Sequence, residues 1–336
     1  MTADADAPQA GAQIEGDAGA EIKAVPARHP GRWVATVIVA YVVVVFFHGL
    51  ITNPNFDWSV VKKNLFDGFV IRGVGYTLLL TFLSMIVGVA LGTLLAVMRL
   101  SPVRLISGTA WVYIWFFRGT PVYVQLLFWG SIGALTGKSV ALQIPWPFGI
   151  VLAYVPVTKL IPILVAAVLG LGLNEAAYMA EIVRAGMVSV GEGQAEAASS
   201  IGMTRMQALR LVVLPQAMRV IIPPTGNETI GMLKTTSLAG VALAVPDLTY
   251  VVTQVFSVTF QIIPWLLIAV IWYLILTSIL TWGQFYVERY YARGSTRALP
   301  PTPLQRFRAL FLHNLTTVHS AEGRAPLGPP PPSAAR

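Results

Sequence analysis

Long apolar runs alternate with short polar gaps along this chain, and the runs have the length of membrane crossings. A helix needs about 20 mainly apolar residues to span the hydrocarbon core of a bilayer. Trp33 to Ile51, Tyr76 to Met98, about Leu160 to Val188, Gln216 to about Leu238 and Trp265 to Tyr286 each supply such a stretch. A further span is predicted from roughly Pro121 to Leu135, preceded by a helix over Val103 to Phe117. The break between these two falls at Arg118-Gly119-Thr120-Pro121, where Thr can cap and Pro can take the first helical position. A single long helix through the stretch is the alternative. Pro223-Pro224 predicts a kink in the run that begins at Gln216. Phe148 to Pro156 and Leu238 to Val245 are apolar but too short to cross, and read as packed or re-entrant pieces. A cleaved signal peptide is the rival reading of the first run. It fails because a long polar leader precedes the run and no small-x-small site stands before Thr52-Asn53-Pro54.

Composition agrees with lipid as the solvent. The chain has 336 residues, 55% hydrophobic and 11% charged, whereas soluble domains carry about 25% charged residues. There is no Cys, which excludes disulfides, thiolate metal sites and Cys nucleophiles. His29, His48, His313 and His319 are scattered, with no i, i+4 pair to hold a metal. No Gly-x-Ser-x-Gly elbow and no catalytic pair of His is present, so the expectation is a chain that is not an enzyme and takes no cofactor. Residues 1–30 and 299–336 are rich in Ala, Gly and Pro and too poor in apolar residues to offset ordering entropy, and are predicted to be disordered tails. A transmembrane domain over residues 31–298 lies between them.

The net charge of +8 could suggest nucleic acid, but its distribution follows membrane topology. With the N-terminus inside, six spans put the C-terminus inside as well. Lys23, Arg28, Arg32, Arg99, Arg104, Arg184, Arg205, Arg210, Arg219 and the Arg residues from Arg289 onward then lie on the inner side. Only Lys62, Lys63, Arg72 and Lys138 lie outside. This is the positive-inside asymmetry of a multi-pass protein of the cell membrane with both termini cytoplasmic.

The same topology places Glu196 to Pro215, EAASSIGMTRMQALRLVVLP, in a cytoplasmic gap. Gly191 and Gly193 loosen the chain after the preceding helix. Ala195 to Ser200 is built of helix formers with Glu196 near the start, where a negative charge suits the helix dipole. Gly202 breaks the run, and Thr204 can cap a second short helix carrying Met206, Leu209, Leu211 and Val212 and ending at Pro215. The pattern predicts a compact helix–turn–helix pad, with the small Ala197 and Ala198 allowing close approach of another surface. An ordinary amphipathic hairpin lying on the headgroups would read the same way.

Glu-Ala-Ala at 196–198, Gly202 and Val212-x-Leu214-Pro215 resemble the coupling motif of the membrane subunits of ATP-binding-cassette importers. Arg118-Gly119-Thr120-Pro121, LNEAAYMAEIVRAG from Leu173 and LPQAMRVIIPPTGNETIGMLKTTSL from Leu214 resemble the polar-amino-acid uptake family of such permeases, of the histidine/glutamine/glutamate type. The likeness spans about residues 70 to 290. It implies an all-α integral membrane fold, a five-helix type I importer core preceded by one extra N-terminal transmembrane helix. In this family the segment at about residues 190–215 is similar to a pair of coupling helices that dock on a separate ATPase. The resemblance further implies a second permease subunit, identical or homologous, two ATPase copies, a binding protein outside and a polar amino acid as cargo. The chain departs from the family in its first span, in a long connection from Gly133 to Lys159, in Thr229 and in Thr235.

Gly133 to Ser139 looks like a phosphate-binding loop, but it has three residues where the motif needs four between its glycines. It also falls on the outer side, away from ATP. Ionisable groups in the spans are stronger candidates, because burying them is costly. Glu181 and Arg184 are three apart on one helix and could pair as a brace for the pad. Arg118 could hold headgroups or backbone carbonyls. Asn227, Glu228, Lys234, Thr236 and Ser237 form a polar cluster after the Pro-Pro pair, suited either to a substrate path or to contact between subunits. Thr235, where relatives often carry an acid or amide, favours a neutral or acidic amino acid over a basic one. A secondary transporter or channel uncoupled from ATP is the alternative function, and leaves the pad without a purpose.

Overall fold

The computed structural model describes residues 30–132, 139–143, 151–156 and 161–291. The predicted tails and most of the phosphate-loop look-alike lie outside them. The chain divides into two units at Phe56/Asp57. The first holds α1, Pro30–Thr52, 23 residues long and so about 34 Å at 1.5 Å per residue. It is apolar on every face from Val34 to Phe47, the composition of a helix solvated by lipid.

The second unit begins with α2, Trp58–Asn64, capped by Asp57. The 32-residue α3, Gly68–Arg99, follows, capped by Asp67. Then come α4, Arg104–Gly119, and α5, Val122–Gly130. Strands β1, Ser139–Gln143, and β2, Val151–Pro156, pair antiparallel with Ser139 opposite Pro156 and an irregularity at Leu142/Gln143. The fold is helical apart from this hairpin; of the packed or re-entrant piece expected at Phe148 to Pro156, the described part, Val151–Pro156, is instead a strand. Val140, Leu142, Val151, Tyr154 and Val155 are branched or aromatic residues that suit a hairpin ladder.

Helix α6, Ile163–Val188, is the central element. It packs on α3 through small residues from both sides. A Cβ on Gly92 would stand 2.5 Å from the Met179 Cβ and 3.0 Å from the Ala180 nitrogen, and one on Gly172 would stand 2.9 Å from the Val87 Cβ. Gly88-x-x-x-Gly92 facing Ala176-x-x-x-Ala180 is the small-residue spacing that lets two helices approach closely in lipid, where dispersion rather than the hydrophobic effect drives association.

Beyond α6 come α7, Glu192–Ser200, and the four-residue α8, Arg205–Ala208. A π-turn over Leu209–Val213 leads into α9, Leu214–Thr235. Helix α9 runs through Pro223 and Pro224 without a break. A separate bend, 48°, lies between α10, Ser237–Leu243, and α11, Leu248–Thr259. There Ala244 takes a left-handed conformation (φ 55°), and the buried Asp247 accepts from the Tyr250 amide at 2.9 Å. The Leu248 amide donates to Thr77 on α3 at 3.1 Å. The packed reading of Leu238 to Val245 holds, with Ala239, Leu243 and Val245 in the core. Helix α12, Ile262–Tyr291, closes the fold.

Among the described residues four helices, α1, α3, α6 and α12, are long and apolar enough to cross a membrane, and the bent pair Arg205–Leu243 and Leu248–Thr259 brings the number to five when counted as one span. Of the sixth expected span, Pro121 to Leu135, the described residues hold α5, nine residues or about 14 Å long; residues 133–135 lie outside the described residues.

Candidate functional site

The pad takes its form from three local devices. Gly191 caps α7, which starts at Glu192, so Glu196 falls in its second turn rather than at its start. Gly202 adopts φ +84°, a left-handed conformation that glycine reaches without steric cost. Thr204 then closes a capping box: its hydroxyl accepts from the Gln207 amide at 3.3 Å, and the Gln207 Oε1 accepts from the Thr204 amide at 2.8 Å. The second pad helix does not end at Pro215, contrary to expectation. Proline has no N–H and its ring crowds the carbonyl four residues back. The π-turn widens the backbone where that carbonyl lies and carries the helix through. Glu196 and Ala197 are exposed, whereas Ala198 is buried within the pad. Leu214 and Pro215 are exposed in the first turn of α9. Ile201 (75%) and Leu211 (65%) are among the most exposed apolar side chains of the pad.

A second constellation surrounds the break between α4 and α5. Pro121 offers no donor to the Phe117 carbonyl, and two amide side chains replace it. Gln125 Nε2 donates to Phe117 O at 3.0 Å, and Asn174 Nδ2 on α6 donates to the same oxygen at 2.9 Å. Gln125 Nε2 also lies 2.7 Å from the Thr120 hydroxyl. Tyr113 ties α4 to α6 by donating to Leu173 O at 2.9 Å. Arg118, in the last turn of α4, is exposed and lies over the Tyr178 ring at 5.2 Å. It lines a hollow of about 480 Å3 shared with Arg99, Trp115, Tyr178 and Glu181. Glu181 accepts from Arg184 at 2.8 Å, the pairing expected.

Next to Asn174, Glu175 is 4% exposed, and its Oε1 has no hydrogen-bond partner. Gly88 makes room for it: a Cβ there would stand 2.9 Å from the Glu175 Cβ. Glu228 on α9 and Arg118 on α4 are long-range neighbours of this group, but no ion pair among the described residues joins Arg118, Glu175 and Glu228.

The other predicted path residues are not drawn to Glu175. Asn227 is exposed and its Oδ1 accepts from Gln284 at 3.1 Å. Lys234 is exposed, and the one ion pair among the described residues is Arg184–Glu181, so Lys234 does not pair with Glu228. Thr236 is fully buried and donates to Leu233 O, while Ser237 donates to Lys234 O; both hydroxyls serve the junction of α9 and α10. Sequence reasoning passed over Gln125 and Asn174. The orphaned carbonyl four residues before Pro121 was the signal that called for them. No group of His, Cys, Asp and Glu among the described residues could hold a metal.

Residues 88–293 match the family described as binding-protein-dependent transport system inner membrane component. The chain is 46% identical, over 83% of its length and 85% of the relative's, to the arginine transport system permease protein ArgU of Corynebacterium glutamicum. It is 36% identical, over 64% of its length and 85% of the relative's, to the histidine/lysine/arginine/ornithine transport system permease protein HisM of Escherichia coli K12. A solved amino acid ABC transporter, crystallised with histidines, superposes with a TM-score of 0.56 at 36% identity, covering 69% of this chain and 97% of that one. This chain belongs to the family of binding-protein-dependent transport system inner membrane components, the multi-pass permease subunits of ATP-binding-cassette importers.

Proposed function

We propose that this permease carries a basic amino acid, and that Arg118, Glu175 and Glu228 form its binding point in the translocation path. The observation that carries the reading is the buried Glu175 Oε1 without a partner. An uncompensated carboxylate in a low-dielectric interior is costly. A cationic side chain of the cargo offsets that cost, with Glu228 adding a second negative charge and Arg118 placed to take the α-carboxylate. The neutral or acidic cargo expected from Thr235 gives way to this reading. The Thr235 hydroxyl bonds its own helix at Gly231 O, 3.0 Å away, so its lack of charge says little about the path. The names of the arginine and the histidine/lysine/arginine/ornithine permeases point the same way.

In this reading Glu196, Ala197, Gly202, Leu214 and Pro215 belong to the surface that docks a separate ATPase, with the buried Ala198 packing the pad behind it and Ile201 and Leu211 as its exposed apolar contacts. The chain itself catalyses nothing and needs no cofactor. Two ATPase copies, a second permease and an outer binding protein complete the importer, with both termini of this chain in the cytoplasm. The test is ATP hydrolysis by the purified permease–ATPase complex, without the binding protein, across a panel of amino acids. Arginine or lysine is expected to stimulate, and Glu175→Gln to abolish the stimulation while leaving basal hydrolysis intact. Stimulation by glutamate or glutamine alone would refute the assignment.

A further inference from the structure

We propose that the pad end of the bundle binds one anionic phospholipid, with an acyl chain between α3, α6 and α9 and its phosphate on Arg210 and Arg219. Two adjoining hollows carry the inference. The first, about 420 Å3, is walled by Met179, Met187, Met206, Leu209, Met218 and Ile221, and its size falls in the range of ligand sites. Thr93 and Thr225 also line it, but their hydroxyls are spent on Val89 O at 2.7 Å and Ile221 O at 2.8 Å of their own helices. Arg210 is thus the one lining side chain with free polar groups. Water needs two to four polar partners to stay in such a space, and an empty one forfeits the contacts of its walls. The site therefore calls for an apolar occupant. Four of the wall residues are methionines, whose flexible thioethers adapt to a chain of varying shape.

The second hollow, about 570 Å3, shares Arg210, Leu214 and Met218 with the first and adds Arg219, Tyr290 and Tyr291. No acidic side chain lines either hollow. Two arginines without a carboxylate partner among the described residues, set beside tyrosines at a membrane boundary, suit a phosphodiester. An apolar slot opening onto a cationic one matches a phospholipid and not a free anion. Because Met206, Leu209 and Arg210 belong to α8 and the π-turn, the lipid would lie between the pad and the spanning helices.

The test uses the full-length permease–ATPase complex in nanodiscs. A phosphatidylglycerol with a photoreactive group at its acyl terminus is expected to label peptides containing Met187 and Met206. Excess unlabelled phosphatidylglycerol should compete, and excess phosphatidylcholine should not. Arg210→Gln with Arg219→Gln, both exposed positions, should weaken labelling by about tenfold or more, as removal of charge-assisted hydrogen bonds does. Met187→Trp should displace the chain from within. Equal labelling by a phosphatidylcholine probe, unchanged in the double variant, would mean ordinary annular lipid and overturn the proposal. So would labelling of the isolated permease that vanishes once the ATPase binds, which would assign the slot to an ATPase side chain. All of these readouts are independent of which amino acid is carried.

Discussion

The break between α4 and α5 gives a quantitative test of how the polar centre is held. The Phe117 carbonyl, deprived of a helical partner by Pro121, accepts from both Gln125 and Asn174. Replacing either with Leu leaves one donor in place. Replacing both leaves a carbonyl in the membrane interior with none. In lipid a side-chain hydrogen bond contributes about 0.6 kcal/mol on average and up to about 1.7, whereas a buried polar group left unsatisfied costs about 1–3 kcal/mol. Gln125→Leu and Asn174→Leu are therefore each expected to destabilise by about 1 kcal/mol. The double variant should exceed their sum by about 1 kcal/mol or more, because only it carries the full desolvation penalty. Thermal or denaturant unfolding in detergent micelles measures the stability. Proteoliposome uptake measures the consequence, since Arg118 lies one residue beyond the orphaned carbonyl. Each single variant should raise the substrate concentration for half-maximal uptake, and the double should abolish uptake with the protein still inserted. Additivity within about 0.5 kcal/mol would show that the two amides do not share the Phe117 oxygen in the way described, and would refute the reasoning.

Gly202→Leu should abolish transport and weaken ATPase association at normal expression. Nothing lies within 4 Å of a Cβ there, so the damage is the φ of +84° and costs about 1–2 kcal/mol; wild-type uptake would exclude it. Gly92→Val should lower the unfolding temperature in detergent, because its side chain would meet Met179 and Ala180 where 2.5 to 3.0 Å is available; overpacking of this kind costs about 1–3 kcal/mol or more. The chain contains no Cys, so single cysteines can be placed cleanly: an impermeant thiol reagent should label position 62 in intact cells and leave position 205 unlabelled, and the opposite result would invert the topology.

Much of the scaffold was legible because lipid imposes a length rule. Five apolar runs of about 20 residues reappear as α1, α3, α6, α9 and α12 with shifted ends. The pad was legible for a different reason: Gly202 and Thr204 carry local signals, a left-handed turn and a cap, that need no distant partner. What the pattern hid depends on contacts far apart in sequence. The bend before α11 is secured by Leu248 donating to Thr77 across 171 positions, so no local rule announces it. The α2 and α11 helices are short, and α11 is two-sided, resembling connections rather than spans. Glu175 is one of two acids on α6, the other being Glu181. Its significance comes from burial under α3, where Gly88 leaves room for it, and burial cannot be read from a helix in isolation. Likewise Thr235 drew attention to cargo charge at a position whose hydroxyl is occupied by its own backbone.

The continuity of the chain from Arg205 to Thr235 joins the two candidate regions mechanically. Pro215 would stop an ordinary helix, but the π-turn accommodates it, so pad and path lie on one rod. Arg205 and Glu228 are about 35 Å apart along it at 1.5 Å per residue. The rod is seated on α6 where Gly186 faces Ile221, a Cβ on the glycine falling 2.9 Å from the Ile221 Cδ1. Left-handed residues bound it, Gly202 before it and Ala244 beyond it. On the proposed function, a push on the pad from the ATPase is carried along α9 to Glu228, while Glu175 stays with α6. The spacing of the two carboxylates, and with it the attraction for a cationic cargo, then changes with the position of the pad. A helix that ended at Pro215 would lose this rigid link, and the same two carboxylates would be a fixed charge site with no connection to the motor.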